Sequence, residues 1–385
     1  MSGMGHSPLG ASGSYRWLAC PGSVIMSQGV EDEESDFARE GTAAHAVGEG
    51  CLKHGYEPWE YINLPMEGQM VTSEMANAVA YYVNSVNEWH PERTSDNSWV
   101  ERRFHCPTIH RYFFGTSDFT YVYLRMRTLH VWDYKHGAGI VVEAEGNPQG
   151  MYYACGILEE LELWDDVDDV VIHIVQPRGW HIEGPHRTWK VSTATLIEWL
   201  EDVCIPAMER ALVSRDTVAG EHCRFCPARS RQCPALMNAM AELEELMRMA
   251  LKDEKGAEAL TPAQLGRLLE LKEIGKIVFK AAEKVAHGRL SAGKDVPGVK
   301  QVAARTNRVF KDGAEAAAKK TFGAKAFTAP EFKTPAQIDE MPGGKDFTAR
   351  WAFKPEGATT VAIEGDPRER VIRDAKSLFK PRKDK

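Results

Sequence analysis

Apolar residues recur every three to four positions from Glu40 to Leu52, where Ala43, Ala44, Val47 and Leu52 supply much of one face, and this spacing predicts a helix. A second helical stretch is expected from about Ser73 to Trp89, with Met75, Ala78, Val79, Tyr82 and Val83 in register. Strand-like segments follow at Ser98 to Phe104, Phe119 to Leu124 and Thr128 to Tyr134. A helix is predicted over Pro148 to Leu163. The β-branched run Val170 to Gln176 reads as a further strand, ended by Pro177-Arg178-Gly179, and Thr195 to Ser214 is helical again. This order describes an α/β domain with helices packed on a mixed sheet.

The pattern changes after residue 234. Ala235 to Lys252 is a Met/Leu/Glu-rich helix. Thr261-Pro262-Ala263-Gln264 opens another, with Thr261 as cap, Pro262 at the first helical position, Gln264 closing a capping box and Leu260 with Leu265 as a hydrophobic staple. Helical spacing then runs from Leu268 to about His287, which makes a helical hairpin the economical reading. Beyond Gly298 only Val299 to Phe310 reads as a strand. The resulting organisation is a flexible Gly/Ser-rich segment (1–13), an α/β domain (14–235), a helical hairpin (236–292) and a basic C-terminal region (293–385).

At 385 residues there is room for two or three domains, and 43% apolar with 26% charged residues is ordinary for a soluble globular chain. No run approaches the roughly 18 apolar residues of a membrane span. The first residues lack the apolar core of a secretory signal, so a cytoplasmic setting is expected, in which eight cysteines are thiols or metal ligands rather than disulfides. Net charge is −8, unevenly spread. Residues 300–385 carry 19 Lys+Arg and 12 Asp+Glu, a net of +7, which leaves −15 on the first 299. A basic tail on an acidic body points weakly to a polyanionic partner and equally to a solvated lysine-rich surface.

Two short stretches carry candidate chemistry. Asp133 and Lys135 of Val131-Trp132-Asp133-Tyr134-Lys135 share one face of a strand. Asp118 of Gly115-Thr116-Ser117-Asp118 lies between Tyr112-Phe113-Phe114 and the apolar run from Phe119, so a hairpin is expected to place it near Asp133. Two carboxylates and a lysine at a strand end can hold a divalent cation and activate a water for phosphodiester hydrolysis. The plainer reading of Asp133 and Lys135 is a surface ion pair worth about 0–1 kcal/mol. An acid following a buried apolar strand argues against it. No Gly-x-x-x-x-Gly-Lys-Ser/Thr occurs, so no nucleotide cofactor or ATP-driven motor is expected.

Cys223, Cys226 and Cys233 form a C-x2-C-x6-C array that suits metal ligation, with His222 or the remote Cys20 as fourth ligand. Zinc and an iron–sulfur cluster both fit such a set. Cys51, Cys106, Cys155 and Cys204 read as small buried apolar residues.

Taken together these residues resemble the RecB-like branch of the PD-(D/E)xK nuclease superfamily, most closely its iron–sulfur members, such as AddB-type helicase–nucleases and CRISPR-associated RecB-like nucleases. The shared pattern reads here as Cys20; Gly41-Thr42-Ala43-Ala44-His45; Gly115-Thr116-Ser117-Asp118; Asp133-Tyr134-Lys135; Gln149-Gly150-Met151-Tyr152-Tyr153; and Cys223, Cys226 and Cys233. It covers about Ser14 to Pro234. The stretches Arg16 to Gly22 and Asn147-Pro148-Gln149 also resemble a phage-borne family of uncharacterised RecB-like proteins.

The resemblance implies a restriction-endonuclease-like core with a cysteine-cluster staple. It implies Mg2+ or Mn2+ held by His45, Asp118, Asp133 and the Tyr134 carbonyl, and catalysis by Lys135. Gln149 and Tyr153 would orient the substrate or the lysine, and Glu49 would be an outer acid. Cys20, Cys223, Cys226 and Cys233 would bind a 4Fe-4S cluster, with zinc as the alternative. The implied activity is that of a metal-dependent deoxyribonuclease, leaning to exonuclease action on single-stranded or 5′ ends in phage DNA replication or recombination, in the host cytoplasm. DNA is the expected partner, with a phage single-strand-binding or replication protein as a second candidate. The alternative is a non-catalytic nucleic-acid-binding or scaffold protein on a nuclease-like fold with structural zinc. His105, His110, His130 and His136 are read as bystanders that at most touch DNA.

Overall fold

In the computed structural model one mixed sheet organises the chain, built from β1 (Ser98–His105), β2 (Phe114–Tyr123), β3 (Thr128–Tyr134), β4 (Asp169–Val175) and β5 (His186–Ser192) in that spatial order. The pairs are antiparallel except β3 with β4, which run parallel and are joined through helix α5 (Pro148–Glu160), the fifth after α1 (Ser14–Ala19), α2 (Ser23–Ser27), α3 (Asp36–His54) and α4 (Ser73–Trp89). The structure describes residues 7–30, 36–230, 233–252, 255–303, 309–311, 313–328, 331–332, 335–339, 341, 343–353 and 359–363. They divide into two units, 1–278 and 279–385.

Side chains alternate along β3 and so build two different cores. Leu129 and Val131, with Ile172 and Ile174 of β4, pack under Met151, Tyr152, Cys155 and Leu158 of α5. Trp132 and Tyr134 point the other way, with Phe119 and Tyr121, into a core shared with Val47, Met75, Val79 and Tyr82. The last four belong to two helices on that face, Asp36–His54 and Ser73–Trp89. The second of these begins and ends where its apolar period predicts, because Thr72 accepts the Met75 N–H and fixes its start. Helix α5 lies close on the sheet, and glycines make the approach possible. A Cβ on Gly156 would sit 2.3 Å from the Phe104 ring, and one on Gly150 2.6 Å from Ile172.

Several expectations need revision. The strand expected from Phe119 begins at Phe114, so Gly115–Asp118 is the first half of β2, whose hairpin to β3 turns at Leu124–Met126 with Arg127 in the left-handed region. The predicted helix Thr195–Ser214 is three segments, Thr193–Trp199, a π-helical turn Leu200–Cys204, and Ile205–Val213. Pro206 explains the break, since it has no N–H and its ring crowds the carbonyl four residues back. Residues 7–13, expected to be a flexible tail, are packed: Leu9 is buried, Ser7 donates to the Tyr112 carbonyl, and Trp17 donates to the Gly10 carbonyl. Residues 1–6 lie outside the described residues.

Helices Pro234–Lys252 and Pro262–Ser291 share a cluster of Leu236, Ala239, Leu246, Leu271, Ile274 and Ile277. The capping box forms between Thr261 and Gln264, but Leu265 is exposed and does not act as a staple. In the second unit the single strand expected at 299–310 is divided. Val299–Ala303 pairs with Thr359–Ile363, whereas Val309–Phe310 pairs with Ala352–Phe353. Residues 304–308 lie outside the described ones. Ala318, Ala326, Ile338 and Phe347 form a small apolar cluster, so this region has more packed structure than its Lys/Ala/Gly/Pro-rich sequence suggests.

Candidate active site and cysteine cluster

The β2–β3 register, ending at Phe119 opposite Trp132, brings Asp118 beside Asp133 where the pairing of these two inner strands stops. Asp118 Oδ2 accepts the Tyr134 N–H at 2.7 Å, which locks the carboxylate to the neighbouring strand. Asp133 is 2% exposed. Lys135 Nζ lies 2.7 Å from Asp133 Oδ2 and donates to Gln149 Oε1 at 2.7 Å. The lysine contact is an ion pair at hydrogen-bond length, made by a carboxylate almost closed to solvent. Burial raises the pKa of Asp133, the Lys135 ammonium opposes this, and the charge of Asp118 adds to the rise.

Gln149 reaches this group because Asn147-Pro148 starts α5 just beneath it. The Asn147 side chain accepts the Gly150 N–H, and Pro148 takes a position where no donor is needed. Gln149 therefore lies in the first turn, where its Nε2 donates to the Tyr153 hydroxyl at 2.9 Å and reaches Asp133 Oδ1 at 3.5 Å. Burial first, then the charges of Asp133 and Asp118, raise the Tyr153 phenol well above its ordinary range, so it stays neutral.

His45 comes from the helix Asp36–His54 on the other face, with Nδ1 3.5 Å from Asp118 Oδ2 and its ring against Tyr134. The N-terminal turns of that helix are fastened at the same end of β3, where Arg178 pairs with Glu40 and Glu74, and His136 bonds to the Tyr134 hydroxyl. His45, Asp118, Asp133, Lys135, Gln149 and Tyr153 thus meet in one place.

Glu49, expected as an outer acid, pairs with Lys53 at 2.6 Å on the surface and reaches the site through its charge on Glu101. The acid beside His45 and Asp118 is Glu101, one residue that sequence reasoning missed. It stands opposite Asp118 in β1, has a positive φ of 52°, and interrupts the ladder between the pairs Val100–Phe119 and Arg102–Ser117. Ligand atoms of His45, Glu101 and Asp118 lie within 4.8 Å of one another. The available signal was an acid inside an otherwise half-buried strand.

Burial and the neighbouring Asp118 charge push the Glu101 carboxyl up to about 8. Between the ordinary carboxylate range and about pH 8 the folded chain holds a proton that the unfolded chain releases, so stability falls as pH rises through that window. Without added divalent metal, Glu101→Gln is therefore expected to stabilise the protein by roughly 1–2 kcal/mol at pH 8.5 and by almost nothing at pH 5. Paired thermal melts at the two pH values check this; equal midpoints at pH 8.5 would show that Glu101 ionises freely.

Of the four bystander histidines, His110 and His136 are buried and His130 is half-buried within a network of rings, which leaves only His105 exposed enough to touch DNA.

The cysteines of the array and Cys20 are all buried and reduced. Cys20-Pro21-Gly22 approaches the chain just before the array: the Gly22 N–H donates to the Asp216 carbonyl at 2.7 Å, and a Cβ there would meet the Arg215 backbone at 2.8 Å. Cys20 Sγ accepts the Val218 N–H at 3.3 Å. Burial, followed by the charges of the other cluster thiols, raises the pKa of Cys20. The same causes push Cys223 up to about 11. Cys20 and Cys223 thus lie within electrostatic reach of Cys226 and Cys233, a donor set that suits a thiophilic metal centre. His222 Nε2 donates to the Val218 carbonyl at 2.8 Å and keeps its Nδ1 lone pair, so His222 and Cys20 both have a donor atom for the fourth position. Cys51, Cys106, Cys155 and Cys204 are buried apart, as expected.

No helix among the described residues is long and apolar enough to cross a membrane. No solved structure matches the chain. A family model described as a protein of unknown function, DUF2800, matches residues 6–369, and the chain belongs to that family.

Proposed function

We propose that this protein is a metal-dependent DNA nuclease that hydrolyses phosphodiester bonds in phage DNA replication or recombination. One observation carries the reading: a buried carboxylate, Asp133, stands beside Asp118 and is paired with a lysine that α5 holds in place through Gln149. The mixed sheet with helices on both faces supports a restriction-endonuclease-like core.

His45, Asp118, Asp133 and the Tyr134 carbonyl would hold Mg2+ or Mn2+, carboxylates favouring either ion and the imidazole tilting the site toward Mn2+. Bound there, the cation supplies a Lewis acid that polarises the scissile phosphate and lowers the pKa of an attacking water. The chain's own part is positional and electrostatic. Gln149 Oε1 and Asp133 aim the Lys135 ammonium, a compact donor suited to a water or to charge developing on phosphate oxygens. Tyr153, kept neutral, holds Gln149 in turn. Cys20, Cys223, Cys226 and Cys233 would carry a 4Fe-4S cluster, or zinc, as a structural staple, and a reducing cytoplasm suits four free thiols.

Protein purified without oxygen and mixed with end-labelled single- and double-stranded DNA tests the reading. Cleavage dependent on Mg2+ or Mn2+ and abolished by a chelator is expected, with the label pattern giving polarity and end preference. A folded, cluster-loaded protein that binds DNA but never cuts it would move the assignment to the non-catalytic reading.

A further inference from the structure

On the face of the sheet opposite Lys135 and Gln149, four imidazoles from four elements converge. His90 follows the helix Ser73–Trp89, and His130, His173 and His186 come from β3, β4 and β5. His173 is fully buried and His90 is 3% exposed. The arrangement depends on the register: His130 is paired with Val171 and His186 with Val175, so the three strand histidines form a diagonal file across adjacent strands. His130 Nδ1 lies 2.9 Å from His173 Nε2, and His173 Nδ1 lies 3.0 Å from His186 Nε2. The Trp132 indole N–H donates to His90 Nε2 at 3.0 Å, and its ring stacks flat on His173 at 3.9 Å. One ring nitrogen each from His90, His130 and His173 lies within 4.8 Å of the other two.

We propose that His90, His130 and His173 form a transition-metal site, with Zn2+ as the preferred ion, separate from the candidate nuclease centre and independent of that reading. Imidazole nitrogens select Zn2+ and its neighbours over Mg2+ and Ca2+. Zn–N bonds of about 2.0–2.1 Å put tetrahedral nitrogens roughly 3.3 Å apart, so closing the three onto an ion takes only small ring movements. His186 then acts as the outer partner that fixes the ring of His173: the His173 Nδ1–H donates to His186 Nε2, leaving the Nε2 lone pair directed at the ion. At His130 the ring proton moves from Nδ1 to Nε2, and at His90 the Nε2 lone pair that accepts the Trp132 N–H is turned to the ion, exchanging that hydrogen bond for the metal bond, so binding releases no net proton from these residues. Burial already holds the set neutral, lowering His130 to about 4 and, with repulsion from His130, Arg93 and His186 added, His90 to about 3. Three protein nitrogens leave the fourth position to a water or small anion.

Trp89 packs edge-on against His90, His173 and His186 and is half exposed, so it covers the group and reports on it. An ion there would tie the end of a helix to two strands directly and to a third through His186. It would therefore stabilise the fold rather than act on substrate.

Co2+ titration of the full chain, with its cysteine cluster as purified, tests the site. Wild type is expected to take up one equivalent with a nitrogen-ligand visible spectrum that lacks sulfur charge-transfer bands. Tryptophan fluorescence should be quenched, and Zn2+ should raise the melting midpoint where Mg2+ does not. His130→Gln and His90→Gln should each weaken that equivalent at least tenfold, while Asp118→Asn, which addresses the other metal centre, retains it. Identical uptake and midpoint shifts in wild type and both histidine variants would overturn the site and leave a hydrogen-bonded network of neutral rings. Should the variants not fold, imidazole 15N shifts in wild type decide: ring nitrogens of His90, His130 and His173 that do not move with Zn2+ overturn it equally.

Discussion

Lys135→Ala is expected to lower metal-dependent DNA cleavage by about 10²–10³-fold at saturating Mn2+, with DNA affinity changed far less. The size follows from where the ammonium sits. Lys135 retains contact with solvent, while its head lies 2.7 Å from both Asp133 and Gln149, so it is pre-aimed rather than merely nearby. Donors fixed before charge develops need no reorganisation during the step, and losing one usually costs two or three orders of magnitude. Lys135→Arg should not restore activity, because a planar fork cannot occupy the place of a point charge between a carboxylate and an amide oxygen.

The same variant carries a second signature. Removing the ammonium withdraws the largest influence that lowers the Asp133 pKa against burial and the Asp118 charge, leaving only the smaller one of His45. The acidic limb of the pH–rate profile should therefore move to higher pH. Single-turnover cleavage between pH 6 and 9 separates the two effects. A variant cutting within threefold of wild type, with an unshifted profile, would remove Lys135 from the mechanism and weaken the nuclease assignment with it.

How much of this was legible in the sequence depended on whether the deciding contacts were local. The helix Ser73–Trp89 was readable because its apolar period and its Thr72 cap lie within one stretch. Asp118, Asp133 and Lys135 were readable because a single hairpin sets their register. Strand β5 was missed for a local reason of the opposite kind: one of its inward positions is Arg187, a buried guanidinium satisfied by the Val142 carbonyl and Gln176, so the apolar alternation fails. Glu101 and the histidine file required information that no single segment holds. Glu101 faces Asp118 only once β1 is paired with β2. His130 and His173 meet only through the β3–β4 pairing, which is parallel and set by a crossover through α5. Taken singly, each of these residues reads as a surface charge or a bystander.

The cysteine cluster depends on the longest of these non-local contacts, and Cys223→Ala should show it as a loss of fold before a loss of chemistry. Cys20 lies near the start of the chain and its partners follow residue 222, so a shared metal centre closes almost the whole α/β domain into one loop. Cross-links over long loops restrict the unfolded chain most, and metal binding that requires the folded arrangement is itself folding free energy. Without a centre, what remains is four buried thiols whose ionised forms repel, together with the Gly22–Asp216 backbone contact. We expect Cys223→Ala to lose its metal content, become poorly soluble and, where soluble, melt on the order of 10 °C lower, corresponding to about 3–5 kcal/mol. Cys155→Ala is the control, since that thiol is equally buried but lies among Cys106, Cys204 and the α5 core. It should cost only the roughly 1 kcal/mol of a small cavity and leave the metal in place. Metal analysis, iron–sulfur absorbance and thermal melts of both variants decide the matter. A soluble Cys223→Ala protein that is metal-free and melts cooperatively at the wild-type midpoint would show that packing of the N-terminal segment alone holds the domain shut.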